Sequence, residues 1–128
     1  DVAPSEIENV LKDSLFIREV IVVGDGRKFL GGLIQIDFDT VGRWASDHGL
    51  PYTNYRSLTQ LPAVVELVQG IVDEVNSRFA RVENVRRFVI LEKELDHDDG
   101  ELTATQKVRR GLVNRKFARE LALIYGEA

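Results

Sequence analysis

Apolar residues along this chain alternate between a helical and a strand period, and the changes of period divide it into elements. Ile7, Val10 and Leu11 stand at i, i+3 and i+4, one stripe of a helix expected over 4–14. Pro4 suits the first turn, where its missing N–H would have had no partner anyway. Glu6 and Glu8 are expected to complement the positive end of that helix's dipole. The pattern then changes. Ile17, Val20, Ile21, Val22 and Val23 make 16–23 a strand dense in β-branched residues, and the long apolar run in this arm predicts burial on both faces. Gly24-Asp25-Gly26 offers positive-φ positions for a tight turn, so 29–38 is expected to return as the second arm of a hairpin.

Asp39 or Thr40 is placed to cap a short helix over 41–48, which Gly49 ends. The stretch 50–61, with Pro51, Tyr52 and Tyr55, reads as a loop with room for one helical turn. Pro62 opens the longest helix, to about residue 80, striped by Val64, Val68, Ile71, Val72, Val75 and Phe79. A third strand covers 86–91, and a last helix covers 112–125 with Val113, Phe117, Leu121, Ile124 and Tyr125 inward. The order α-ββ-α-α-β-α predicts an α+β fold, a small and mainly antiparallel sheet with a β-hairpin, covered by helices.

Composition narrows the classes of function. A chain of 128 residues, 44% apolar and 30% charged, is long enough for one core-bearing domain and too short to add a nucleotide pocket of its own. Its apolar runs are strand-length, well short of the roughly 20 residues that span a bilayer. Without cysteine there is no disulfide, thiol nucleophile or thiolate metal site, and His48 and His97 are too far apart in sequence to suggest a histidine site. A net charge of −4 argues against nucleic acid as the main partner. The chain has no methionine and opens on Asp1-Val2-Ala3-Pro4, so residues 1–128 are expected to be one domain of a longer protein whose active site is shared with another part.

The candidate chemistry lies where charge changes sign. Glu92, Glu94, Asp96, Asp98, Asp99 and Glu101 precede Lys107, and Arg109, Arg110, Arg115, Lys116 and Arg119 follow it. A lysine is a compact cation with three donors on a flexible stem, suited to neutralising anionic oxygens. The acidic run does not make a calcium loop: counted from Asp96, glycine falls fifth rather than sixth and position twelve is Lys107, so a solvated turn is expected. Gly24-Asp25-Gly26 lacks the Gly-Lys-Ser/Thr and the helix of a phosphate loop. His97 has no serine in a nucleophile elbow to partner it. Trp44 is expected in the core margin, and Arg109 and Arg110 are weak candidates for phosphate contact, with helix pairing as the commoner fate.

Four motifs together carry a resemblance: Pro4-Ser5-Glu6-Ile7-Glu8-Asn9, Val22-Val23-Gly24-Asp25-Gly26, Trp44-Ala45, and Gly100-Glu101-Leu102-Thr103-Ala104-Thr105-Gln106-Lys107. The chain resembles, along essentially its whole length, the C-terminal domain of long-chain acyl-CoA synthetases in the adenylate-forming (AMP-binding) superfamily. The segment 39–61 resembles the insertion of the long-chain branch. The resemblance implies a mobile C-terminal domain of a long-chain fatty acid–CoA ligase, an enzyme of fatty acid and lipid metabolism with ATP and CoA as substrates. It implies a catalytic role for Lys107 in adenylation, with Thr103 and Thr105 shaping the loop near ATP and Arg109 and Arg110 as CoA-phosphate candidates. Mg2+, nucleotide and acyl sites would belong to the N-terminal AMP-binding domain, the implied partner, and these residues alone would be inactive. No metal would be held here. A cytoplasmic enzyme, with peripheral membrane contact as an option, follows from the same resemblance. Ala104 departs from the family's usual proline, which implies a looser lysine loop, and Glu92-Lys93-Glu94-Leu95 replaces a stretch that usually contains proline. The reading from a different class is a stand-alone binding module that uses the basic C-terminal face for an anionic partner.

Overall fold

The computed structural model describes residues 4–126, so the opening Asp1-Val2-Ala3 lies outside the described residues. The elements run α1 (Pro4–Lys12), β1 (Ile17–Val23), β2 (Leu30–Ile36), α2 (Phe38–Asp47), α3 (Tyr55–Thr59), α4 (Pro62–Asn76), β3 (Val85–Ile90), α5 (Arg110–Lys116) and α6 (Ala118–Tyr125), with a 3₁₀ turn at Arg81–Glu83 before β3. This is the expected α+β layering.

Central strand β2 pairs antiparallel with β1, Val20 opposite Ile34, and parallel with β3, Leu33 opposite Val89. The hairpin therefore forms as expected, and the second ladder makes the three-stranded sheet mixed. A parallel neighbour needs a crossover rather than a tight turn. Here α2, α3 and α4 provide it. Alternation along the strands divides the core. Val20, Val22, Ile34 and Ile36 face α1, α3 and α4, whereas Ile21 and Leu33 face Val113, Phe117 and Ile124 of the C-terminal segment. Both faces of β1 are thus covered over 20–23, which is why that stretch of the strand is apolar without a break.

Local details differ from the sequence reading for identifiable reasons. Asp37, not Asp39 or Thr40, caps α2, its carboxylate accepting from Thr40 N at 3.0 Å. The turn before β2 needs positive φ at Gly26 (69°) but not at Gly24, and it leads into a longer connection to Leu30. The expected helical turn in 50–61 is α3, closed by a reciprocal Asn54–Ser57 capping box. α4 ends at Asn76, where the side chain bonds both Val85 N and Val85 O at 2.9 Å and so ties the helix end to β3. The last helix is broken at Phe117 (φ −106°), which turns α6 back onto the sheet. Gly31 allows that approach, since a Cβ there would stand 2.5 Å from Ile124 Cγ2. Trp44 is half-buried, as expected, with its ring 4.5 Å from that of His48.

Candidate functional site

Downstream of β3 the chain builds a small projecting hairpin on a tethered base. Leu91 N extends the parallel ladder onto Ile34 O at 2.8 Å, and Leu95 N donates to the buried Gln35 Oε1 at 3.0 Å. The acidic run then turns on itself. Asp98 N donates to Asp96 Oδ1 at 2.8 Å and Gly100 adopts φ 84°, the solvated turn expected of this stretch. Among the described residues, no group of three or more His, Cys, Asp or Glu is arranged to hold a metal ion.

Residues 102–108 form the hairpin. Leu102 and Val108 pair as an isolated antiparallel bridge, Thr103 N donates to Lys107 O at 2.7 Å, and Gln106 N donates to Thr103 O at 2.9 Å. A β-turn followed by one left-handed residue is a common way to close such a loop, and Gln106 takes that position at φ 66°. Thr103 Oγ1 accepts from Lys107 N at 3.1 Å and lies 3.1 Å from Thr105 Oγ1. The two threonines thus brace the turn from inside. Lys107 is exposed, and its ammonium makes no hydrogen bond or ion pair among the described residues. Three of the sequence-predicted site residues therefore meet in one loop that carries an unengaged cation outward.

The two arginines separate. Arg109 is exposed at the start of α5, its N–H donating to Glu101 O at 2.9 Å. Arg110 reaches back 2.6 Å to Glu8 Oε1, and Glu8 Oε2 accepts from Val22 N at 2.7 Å. Glu8 is buried. Its expected part in the α1 dipole falls instead to Glu6, and Glu8 acts as a strut joining α1, β1 and α5. The Glu8 carboxylate raises the Arg110 guanidinium further above its ordinary range. Next to it a cleft of about 480 Å³ opens between β1 and α5–α6, with Arg110, Asn114 and Gly24 on its wall.

The sequence reading missed the residue at the root of the hairpin. Glu101, placed there among a solvated acidic run, is 0% exposed. Its Oε1 accepts from Asp96 N at 2.8 Å and lies 2.5 Å from Lys93 Nζ, while Oε2 lies 2.7 Å from Lys116 Nζ. Burial by itself raises the carboxyl's pKa. The Lys116 and Lys93 ammoniums and the Asp96 N–H outweigh that and hold it below its ordinary value. Lys93 is also 2.8 Å from Asp99, and the two carboxylates raise its ammonium despite the opposing effect of burial. Local sequence holds little to mark this, because Lys93 and Lys116 lie 8 and 15 positions away, on either side of Glu101.

Comparison with known proteins shows the family of the chain. The family model "AMP-binding enzyme C-terminal domain" matches residues 1–128. The chain is 32% identical over 128 residues to the long-chain-fatty-acid–CoA ligase FadD15 of Mycobacterium tuberculosis, covering 99% of this chain and 21% of that protein. It is 24% identical over 129 residues to the peroxisomal long chain acyl-CoA synthetase 7 of Arabidopsis thaliana, covering 98% and 18%. The adenylation domain of a carboxylate reductase from Mycobacterium chelonae shares the fold at TM-score 0.72 and 19% identity, covering 98% of this chain and 18% of that one. The chain spans about a fifth of the length of these curated relatives. It belongs to the family of AMP-binding enzyme C-terminal domains.

Proposed function

We propose that this chain, as an AMP-binding enzyme C-terminal domain, supplies the adenylation lysine of an AMP-forming long-chain fatty acid–CoA ligase. Its relatives' names support the substrate class. One observation carries the assignment of the residue: Lys107 stands on a braced, projecting hairpin with its ammonium unengaged among the described residues.

In the first half-reaction a fatty acid carboxylate oxygen attacks the α-phosphorus of ATP, an acyl-adenylate forms, and pyrophosphate leaves. Two anions must approach, so an ammonium that contacts both the carboxylate and the phosphate oxygens lowers the barrier by positioning and by stabilising charge. In the second half-reaction the CoA sulfur attacks the acyl carbonyl, and AMP leaves with the bonding pair. The domain turns on its hinge between the two, so Lys107 serves the first only. Thr103 and Thr105 hold the loop that presents it, and exposed Arg109 is better placed than ion-paired Arg110 to meet a CoA phosphate. Nucleotide, Mg2+ and acyl sites are assigned to an N-terminal domain of the same chain, in a cytoplasmic enzyme.

The test separates the half-reactions in the full-length ligase. Lys107→Ala should slow acyl-adenylate formation by about 10²- to 10³-fold, as when one preorganised charge stabiliser is lost. Lys107→Arg should rescue poorly, since a planar fork replaces a point charge. Thioester formation from synthetic acyl-adenylate and CoA should remain near normal. Adenylation unchanged by Lys107→Ala refutes the assignment, and equal loss in both halves points to misfolding instead.

A further inference from the structure

We propose that Glu101 is a positioning residue for Lys107, the buried anchor that sets where the lysine loop stands. The proposal rests on the reading of Lys107 as the adenylation cation. A short hairpin with one bridge is marginal by itself in water, and the bonds of Thr103, Thr105 and Gln106 are internal to the loop. Something beneath the loop must therefore fix its orientation. Glu101 N donates to Asp96 O at 3.1 Å, and Glu101 O accepts from Arg109 N at 2.9 Å, so its backbone joins the acidic turn to the outgoing arm of the hairpin. Its carboxylate then takes Asp96 N, the Lys93 ammonium from the β3 exit and the Lys116 ammonium from α5.

One residue thus ties together both arms of the hairpin, the turn that leads into it and the helix that follows. An apolar side chain would fill the same volume at lower desolvation cost. What it would lack is direction: two hydrogen bonds on Oε1, from Asp96 N and Lys93, and the Lys116 ammonium ion-paired to Oε2 define one orientation of the loop base. Placement at that scale matters to the reaction, because a displacement of about 1 Å can cost on the order of 10²-fold in rate.

Glu101→Gln keeps the volume and an acceptor for Asp96 N, but it turns an amide donor toward Lys116. In the full-length ligase this variant should slow adenylate formation by about 10- to 100-fold. The KM for ATP and for the acid should stay within about twofold, since the loop's angle changes while the substrate sites do not. Thioester formation from synthetic acyl-adenylate should be retained. The double variant with Lys107→Ala should be no slower than Lys107→Ala alone, because Glu101 acts through that lysine. Should Glu101→Gln fail to fold, Lys116→Met removes only the α5 contact and should show the same half-reaction bias at smaller size.

Normal adenylation by folded Glu101→Gln, equal loss of both half-reactions, or a double variant slower than Lys107→Ala would each overturn the inference. If Lys107→Ala slows adenylation while Glu101→Gln does not, this inference fails alone. If Lys107→Ala itself has no effect, the underlying reading fails with it.

Discussion

Gly31 gives the sharpest test of how α6 is seated on the sheet. An alanine Cβ at this position would lie 2.5 Å from Ile124 Cγ2, against a normal carbon–carbon separation of about 3.5–4.0 Å, so about 1 Å of movement is required. Cγ2 sits on a branched Cβ whose χ1 is stiff, so the side chain cannot swing aside and the helix itself has to shift. Such overpacking costs about 1–3 kcal/mol, offset by about 0.5–1 kcal/mol from removing glycine from a strand. The net expectation for Gly31→Ala is a loss of about 0–2.5 kcal/mol. Ile124→Ala empties a fully buried site and should cost about 2–5 kcal/mol by itself. The double variant removes the obstacle. The other nearest atoms, Tyr125 Oη at 3.4 Å and Arg87 O at 3.5 Å, are close to ordinary contact. In the Ile124→Ala background, Gly31→Ala should therefore be neutral or stabilising by up to about 1 kcal/mol. Urea unfolding of the wild type, both single variants and the double measures the coupling. Additivity to within about 0.5 kcal/mol would show that these atoms do not compete for the same space.

Two further expectations concern charge and backbone. The Glu101 carboxyl titrates below its ordinary value of about 4.5, so the unfolded chain takes up its proton first as the pH falls. The stability contributed by the Lys93–Glu101–Lys116 cluster is complete above that value and is lost as the pH drops through the native one; stability measured between about pH 5 and 2 should fall less steeply in Glu101→Gln, and an unchanged slope would contradict the ion cluster. A Cβ at Gly26 would meet no atom within 4 Å, so the cost of Gly26→Val starts from backbone strain at φ 69°, at least about 1–2 kcal/mol; a melting temperature equal to wild type, with the activity of the full-length protein lost, would instead make this turn a ligand contact.

The candidate site was legible in part. Lys107 and its two threonines stand in a motif contiguous in sequence, and their cooperation in one loop depends on neighbours within four positions. Arg110 and Glu8 lie 102 positions apart, so neither a phosphate role nor a dipole role could be weighed against their pairing before the fold brought them together. Glu101 shows the limit most clearly. In sequence it is the last of a run of exposed acids, and only the arrival of Lys93 from one side and Lys116 from α5 makes its burial affordable.

What the sequence by itself determined is what short-range physics controls. Apolar period, β-branching, glycine and proline fix which segments become helix or strand, because those preferences act over a few residues. They placed the hairpin, the long helix opened by Pro62 and the coverage of β1 on both faces. The tertiary structure decided the rest. β3 joins β2 in parallel because the helices between them form a crossover, and a strand's own pattern does not state its partner's direction. The last helix breaks at Phe117, and Gly31 leaves the space that Ile124 enters. The lysine loop takes its orientation from a buried carboxylate whose partners converge from distant parts of the chain, and no local preference of the backbone encodes that convergence.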